Sequence, residues 1–127
     1  MAASVRDYAY TWESRFSIPM NLSILDERRL PLQIEQVLYR IVQEGLSNIA
    51  RHSQATQANV SIVYQEREIQ IQIGDNGKGL DLSRASSGLG LQLIHERLES
   101  IGGHVDIQSR RGDGTWLIIR APVQAHD

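Results

Sequence analysis

Residues 38–53 read Leu-Tyr-Arg-Ile-Val-Gln-Glu-Gly-Leu-Ser-Asn-Ile-Ala-Arg-His-Ser, and their apolar side chains recur at steps of three and four residues. This period is that of an amphipathic helix with one side packed into a core. Pro31 suits the opening turn of such a helix, so the pattern predicts a helix from about residue 32 to residue 51. The apolar side consists of Leu38, Ile41, Val42, Leu46 and Ile49.

The other side of this helix carries a polar ridge formed by Glu44, Asn48, Arg51 and His52. The last three follow the first at spacings of four, seven and eight residues, which stacks all of them along one line. A solvated surface explains charged residues alone, but Asn48 is a poor helix former. Gly45 weakens the same turn by about 1 kcal/mol relative to alanine. A helix that carries both beside a carboxylate is typical of a binding site.

The rest of the chain predicts one domain of helices and strands, residues 1–127, with its core at about residues 18–123. Helical spacing marks residues 3–16 and 88–100, whereas residues 20–25, 58–64, 69–73, 105–108 and 116–123 alternate like strands. The economical packing of such elements is an α/β sandwich in which one sheet face is covered by the helices. The other face is then solvated or covered by a partner.

Composition excludes several classes of protein. A net charge of -2 provides no basic surface for nucleic acid. No apolar run approaches the ~20 residues of a membrane span, and no signal peptide opens the chain. The absence of cysteine excludes disulfides, thiolate zinc sites and cysteine nucleophiles, and fits a reducing compartment. We therefore expect a cytoplasmic domain without nucleic-acid or membrane contact, although its parent protein is compatible with a membrane anchor.

Two glycine-rich segments, residues 74–79 and 88–91, complete the candidate site. Glycines call for positive φ angles or close approach of the backbone to another group. A glycine-flanked helix start offers free N–H groups to phosphate, and an Asn oxygen beside a carboxylate suits Mg²⁺. Each segment alone is more often a plain turn, and neither the phosphate-loop nor the dinucleotide fingerprint is present. Together with the polar ridge they suggest a nucleotide bound with magnesium.

The order of these motifs carries a resemblance to a known family. They are Glu44-x-x-x-Asn48-x-x-Arg51-His52, Asp75-x-Gly77-x-Gly79, Gly88-x-Gly90-Leu91 and Gly112-x-Gly114-Thr115. This series resembles the ATP-binding domain shared by gyrase, the Hsp90 chaperone, histidine kinases and the mismatch-repair protein MutL, over residues 20–123. Residues 38–53 and 96–103 are similar to those of sensor histidine kinases that pair with NarL-type response regulators. The fold implied is a two-layer sandwich, a mixed β-sheet with about three helices on one face.

The resemblance also implies roles for individual residues. Asp75 would accept the adenine amino group, with Thr115 supporting that contact, and Asn48 would ligate Mg²⁺. Glu44 stands where the family has the acidic catalytic residue that orients or activates the attacking group. Residues 80–87 would be the mobile part of a lid over the phosphates. Lys78 would reach a phosphate, and the alternative is that it is a solvated lysine in a turn. The implied ATP-binding set is Asn48, Arg51, His52, Asp75, Gly77, Lys78, Gly79, Ser87, Gly88, Leu89, Gly90, Leu91 and Thr115.

The function implied is transfer of the ATP γ-phosphoryl group to a histidine outside this chain. The partners implied are a dimerisation and phosphoacceptor domain, a homodimeric parent kinase and a NarL-type response regulator. None of the four histidines lies in the acidic helical context of a phosphoacceptor, so we expect no autophosphorylation. The alternatives are a self-contained ATPase or conformational clamp, an anti-sigma-type serine kinase, and a degenerate binding module. Gly45 stands where the family usually has alanine, from which we expect no functional loss.

Overall fold

In the part of the chain that the structure describes, three helices and five strands follow one another in the order predicted from the sequence. The computed structural model describes residues 1–52, 54–77, 89–110 and 114–123, and only the backbone of residues 52, 89, 90 and 110. The helices are α1 (Ala2–Phe16), α2 (Leu32–His52) and α3 (Leu89–Glu99); the strands are β1 (Met20–Leu25), β2 (Ala58–Tyr64), β3 (Glu68–Asp75), β4 (His104–Arg110) and β5 (Gly114–Pro122). The predicted bounds are confirmed to within two residues, and β3 and β4 each extend one or two residues beyond the predicted strands at both ends.

The strands form one mixed sheet in the order β1-β2-β3-β5-β4. β1 pairs with β2 in parallel, whereas the β2–β3, β3–β5 and β4–β5 pairs are antiparallel. β2 shows why one face is covered: its residues alternate strictly between buried and half-buried, beginning with buried Ala58. Such alternation is the pattern of a sheet with a single apolar face. The predicted two-layer α/β sandwich is therefore confirmed.

Helix α2 packs on the apolar face and supplies the centre of the core. Leu38, Ile41 and Leu46 are fully buried, as the period of the sequence predicts. The helix lies close to β3, because a Cβ atom added to Gly45 would stand 2.9 Å from the Cδ1 atom of Ile73. Gly45 thus has a packing role that the sequence did not reveal: it allows the helix to approach the strand that ends at Asp75.

Helix α1 packs beside α2 and is joined to it by a buried indole. Trp12 is 2% exposed, and its Nε1–H donates a hydrogen bond to the backbone carbonyl of Leu46 at 3.0 Å. A buried indole N–H without such a partner would be costly. Helix α1 is therefore in contact with the core through Trp12. In the described part of the chain, no helix combines the length and apolarity needed to cross a bilayer.

The expectation that the glycine-rich turn at residues 74–79 requires positive φ angles is wrong for the part described. Among the described residues, positive φ angles occur at Ser17, Asp26, Gln54, Gly102 and Gly114. Position 74 requires glycine for another reason, because a Cβ atom there would lie 2.2 Å from the ring of Trp116 on the neighbouring strand. Here glycine admits an aromatic ring rather than a left-handed backbone.

Candidate functional site

One row of residues crosses all five strands at the edge of the sheet where Asp75 ends β3. Met20 pairs with Ala58, Ala58 with Asp75, Asp75 with Thr115, and Thr115 with Ser109. Directly paired residues point to the same face of a sheet, and Asp75 follows buried Ile73 by two residues. The side chains of the row therefore lie on the face that the helices cover.

Asp75 is a buried carboxylate at the centre of this row. Its exposed fraction is 4%, and its Oδ1 atom accepts a hydrogen bond of 2.7 Å from the backbone N–H of Gly77. Burial raises the pKa of Asp75 above its ordinary value, because the charged form loses hydration, and the Gly77 hydrogen bond opposes this rise only in part. A carboxylate held in this way has a second oxygen with which to accept a hydrogen bond from a ligand.

Thr115 and Ser109 extend the polar part of the row beyond Asp75. The hydroxyl groups of Ser109 and Thr115 are 2.9 Å apart, and the Ser109 hydroxyl also donates to the carbonyl of Gly114 at 3.3 Å. Thr115 was predicted from the resemblance, whereas Ser109 was missed. The signal in the sequence was a hydroxyl residue on each side of the same hairpin turn, because such residues face each other once the strands pair.

The polar ridge of α2 forms a connected network. Arg51 Nη2 donates to the side-chain oxygen of Asn48 at 3.1 Å and stands 3.6 Å from a carboxylate oxygen of Glu44. An amide oxygen and a carboxylate oxygen thus face one cationic group. The backbone of the fourth member, His52, ends α2. The predicted stacking of Glu44, Asn48 and Arg51 on one side of the helix is confirmed, whereas their roles stay predictions.

The ridge and Asp75 lie at the same end of the molecule. Gly45 contacts β3 at Ile73, two residues before Asp75. Beyond His52 the chain returns to β2 through residues 54–57, and Asn76 hydrogen-bonds to Thr56 and Gln57 in this return. The carboxyl-terminal turns of α2, which carry Asn48 and Arg51, are therefore held at the edge where β3 ends.

The chain just after helix α3 lies against β5, away from Thr115. A Cβ atom on Gly103, just after the helix, would lie 2.8 Å from the carbonyl oxygen of Arg120. Arg120 is five residues along β5 from Thr115, or about 17 Å in a strand, and the 11 residues of α3 span about 16 Å. A helix of this length that ran back along β4 and β5 would start near the edge, where its first N–H groups and the positive end of its dipole would favour an anion.

The remaining predicted residues divide into two groups. Leu91 is half-buried and packs against the core, and its predicted role in the site stays a prediction. Residues 78–88, which include Lys78, Gly79, Ser87, Gly88 and lid residues 80–87, lie outside the described part of the chain, as do the side chains of His52 and Leu89. Their predicted roles stay predictions.

The donor set fits magnesium bound together with a phosphate better than magnesium bound by protein alone. Within residues 1–52, 54–77, 89–110 and 114–123, no group of three or more His, Cys, Asp or Glu side chains is placed to hold a metal ion. The ridge offers the Asn48 amide oxygen beside the Glu44 carboxylate. Mg²⁺ commonly takes one or two protein oxygens and completes its shell with water and substrate phosphates.

Comparison with known proteins finds a family and several relatives that resemble this chain. The model of the family described as "Histidine kinase-, DNA gyrase B-, and HSP90-like ATPase" matches residues 33–125. The chain is 31% identical over 126 residues to the signal transduction histidine-protein kinase/phosphatase DegS of Brevibacillus brevis, covering 98% of this chain and 33% of that protein. It is 36% identical over 91 residues to the sensor histidine kinase LiaS of Bacillus subtilis (strain 168), covering 71% and 25%.

Solved structures reproduce the fold. The histidine kinase domain of the Erythrobacter litoralis EL346 blue-light activated histidine kinase superposes with a TM-score of 0.76 at 16% identity, covering 94% of this chain and 59% of that one. The longer structure of the same kinase gives a TM-score of 0.77 at 17% identity and covers 94% and 40%. The chain spans a third or less of the length of the DegS and LiaS relatives, and its fold is that of the matched part of the kinase-domain structure.

Proposed function

Because the chain belongs to the family of histidine kinase-, DNA gyrase B- and HSP90-like ATPases, we propose that it is the Mg-ATP-binding catalytic domain of a two-component sensor histidine kinase. The observation that carries the proposal is the position of Asp75, a buried carboxylate at the sheet edge where the polar ridge of α2 ends. One ligand with a hydrogen-bond donor at one end and phosphates at the other would engage both. ATP has this composition.

The base would be recognised at the sheet edge. The ionised Asp75 carboxylate accepts a hydrogen bond from the adenine amino group, while the Gly77 N–H keeps its other oxygen oriented. Thr115 is paired with Asp75 across the sheet and supports the contact directly or through water. A hydrogen bond to a charged group is worth roughly 1.5–3 kcal/mol, which is enough to distinguish adenine from a base without that donor.

The phosphates would be held by the helices. Asn48 supplies an oxygen to Mg²⁺, which neutralises phosphate charge when bound, and Arg51 turns from Asn48 and Glu44 towards the phosphates. The start of α3 offers N–H groups to them. Phosphoryl transfer of this type depends mainly on positioning and on charge neutralisation. Glu44 is then the catalytic residue that orients the attacking group or accepts its proton.

The acceptor of the γ-phosphoryl group would be a histidine on a dimerisation and phosphoacceptor domain of the parent kinase. Two observations support this assignment: the relatives named above are called histidine kinases, and they are three to four times longer than the matched region. We further propose a homodimeric parent kinase, a NarL-type response regulator as its partner, and a cytoplasmic location for this domain.

Calorimetric titration of Mg-ATP tests the nucleotide site. We expect Asp75→Asn to weaken binding by about tenfold or more, because one charged hydrogen bond is lost. Asn48→Ala should remove most of the difference between the ATP affinity measured with Mg²⁺ and the ATP affinity measured with EDTA. The matched controls are Asp106→Asn and Asn59→Ala, which make the same changes on the open face of the sheet. Binding that is unchanged in both site variants would contradict the proposal.

Incubation with ATP labelled on the γ-phosphate tests the acceptor. The purified chain should remain unlabelled over hours, even when it binds Mg-ATP, since its own histidines are not acceptors. Acid-labile label on His52, His95, His104 or His126 would show that the acceptor lies within this chain, contrary to the proposal. When the phosphoacceptor domain of the parent kinase is added, we expect that domain to become labelled. We expect Glu44→Gln to abolish this labelling.

A further inference from the structure

Asn76 connects the two parts of the site by hydrogen bonds that use its whole amide group. Its Oδ1 atom accepts from the backbone N–H groups of Thr56 at 3.0 Å and Gln57 at 2.9 Å. Its Nδ2 atom donates to the Thr56 hydroxyl at 2.9 Å. Its own backbone N–H donates to the carbonyl of Gln57 at 3.3 Å. Every one of these bonds reaches the same short segment of the chain.

These bonds join two segments, one around Asn76 and one at residues 56 and 57, that belong to different parts of the candidate site. Asn76 immediately follows Asp75, the residue proposed to accept the adenine amino group, and precedes Gly77, which orients that carboxylate. Thr56 and Gln57 lie in the return from α2 to β2, only five residues beyond Arg51. Gln54 turns this return with a φ of 54°. A shift of residues 54–57 is therefore transmitted to the end of α2.

We propose that Asn76 is a positioning residue that fixes the base-binding carboxylate of Asp75 relative to the metal- and phosphate-binding ridge of α2. This inference rests on the proposed function. The base end and the phosphate end of one nucleotide bind together only when the two parts of the protein have the right separation. The second contact is then intramolecular and gains a large effective concentration. A displacement on the scale of 1 Å forfeits much of that gain.

Asn76 suits this role because its side chain hydrogen-bonds to Thr56 and Gln57. Its backbone is directly continuous with Asp75 and Gly77. The side chain is exposed, so its burial contributes little to the core. Loss of its amide leaves the two N–H groups at Thr56 and Gln57 to water, which costs little folding free energy at an exposed position. The consequence of the loss is instead a freer return segment next to the ridge.

The ratio of Mg-ATP affinity to adenosine affinity measures this coupling. Adenosine engages only the base end, whereas Mg-ATP engages both ends. We expect Asn76→Ala to weaken Mg-ATP binding by about tenfold and adenosine binding by less than about twofold. Both ligands are titrated into the full chain and followed by the shifts of backbone amides. Asn59→Ala is the matched control, since Asn59 has its own amide partner in Asn21 on the open face.

A conservative replacement separates hydrogen bonding from shape. Asn76→Asp retains oxygen acceptors for both N–H groups, and the Thr56 hydroxyl can donate to the carboxylate instead of accepting. We therefore expect the affinity ratio of Asn76→Asp to stay within about threefold of wild type. Should Asn76→Ala fold poorly, Thr56→Val takes its place. It removes only the acceptor of the Nδ2 bond, and we expect a decrease of about threefold in the same ratio.

Three results would overturn the role of Asn76. The first is an equal loss of adenosine and Mg-ATP affinity in Asn76→Ala, which would place its effect at the base end alone. The second is an unchanged affinity for both ligands in Asn76→Ala or in its substitute, and the third is a decrease of the ratio in Asn76→Asp as large as that in Asn76→Ala. If the wild-type chain binds neither ligand, the proposed function itself fails, and this outcome is distinct from the other three.

Discussion

Gly114 lies directly against the backbone of Asp75: a Cβ atom at position 114 would stand 1.9 Å from the carbonyl oxygen of Asp75, and Gly114 has a φ of 93°. The first residue of β5 is thus glycine for two reasons at once. No L side chain fits the space, and few adopt the backbone conformation. The position of the site carboxylate therefore depends on a residue of the neighbouring strand that has no side chain.

Gly114→Ala should destabilise the protein and displace Asp75. We expect a loss of about 2–4 kcal/mol in the free energy of unfolding, because backbone strain adds to a clash that only a strand shift can relieve. Urea unfolding measures this loss. Gly102→Ala is the control, since Gly102 also has a positive φ, 74°, but lies in an exposed turn. Equal losses in the two variants would show that the contact with Asp75 has no cost of its own.

Asp75→Asn should change how stability depends on pH. Burial raises the pKa of Asp75 in the folded protein. The stability that this shift contributes is fully present below about pH 4, the ordinary pKa of a carboxyl group. That contribution is lost as the pH rises through the raised pKa. The variant has no such group, and it should gain stability relative to wild type between about pH 4 and pH 7. Urea unfolding at several pH values checks the sign, and a relative gain by wild type would contradict it.

Gly45→Ala brings two opposing effects together. Alanine improves helix propensity by about 1 kcal/mol, but its Cβ would lie 2.9 Å from Ile73 Cδ1 and 3.3 Å from Ile73 Cγ2. Ile73 is 1% exposed, and overpacking of this kind costs about 1–3 kcal/mol. We therefore expect a small net loss of about 1 kcal/mol in stability by chemical unfolding.

The double variant Gly45→Ala with Ile73→Val identifies the cause of that loss. Ile73→Val deletes the Cδ1 atom that the new methyl group would meet. The two changes should then compensate, with a coupling free energy of about 1 kcal/mol. Strictly additive effects would mean that the helix does not press on β3 at this point.

Tyr64→Phe should leave the protein at least as stable as wild type. Among the described residues, the Tyr64 hydroxyl is the buried side-chain group without a hydrogen-bond partner, and burial raises its pKa. Removing an unsatisfied buried hydroxyl relieves a penalty of about 1–3 kcal/mol. Tyr10→Phe is the matched control at a side chain that is 75% exposed, where we expect no change. A clear loss of stability in Tyr64→Phe alone would reveal a hydrogen bond of that hydroxyl.

Features of the fold that depend on local period could be predicted from the sequence. The steps of three and four residues in α2 place Leu38 and Ile41 in the core and align Glu44 with Asn48 on the other side, because both patterns follow from helix geometry alone. The alternation in β2 likewise predicts which residues face the helices. Only the order of the motifs, however, pointed to a nucleotide.

Features that depend on contacts between distant residues could not be predicted. Gly45 was interpreted as a weak point tolerated for a site, yet its role is to admit Ile73, 28 positions later. For Gly74 the predicted close approach is present without a positive φ angle, but the group that approaches, the ring of Trp116, could not be identified. Asn76 was an unassigned position within a motif, and its bonds to Thr56 and Gln57 require knowledge of which strands pair. Residue spacing records neighbours along one element and not across the sheet.

The most direct test of the site is a titration of Mg-ATP followed at individual backbone amides by NMR. The amide of Asn48 on α2 and that of Gly77 beside Asp75 should shift together and saturate with one dissociation constant, because one nucleotide spans both. Asp75→Asn should weaken the response at Asn48 as well as at Gly77. Shifts confined to one of the two regions, or saturating with two different dissociation constants, would contradict a single site shared by the helix and the sheet edge.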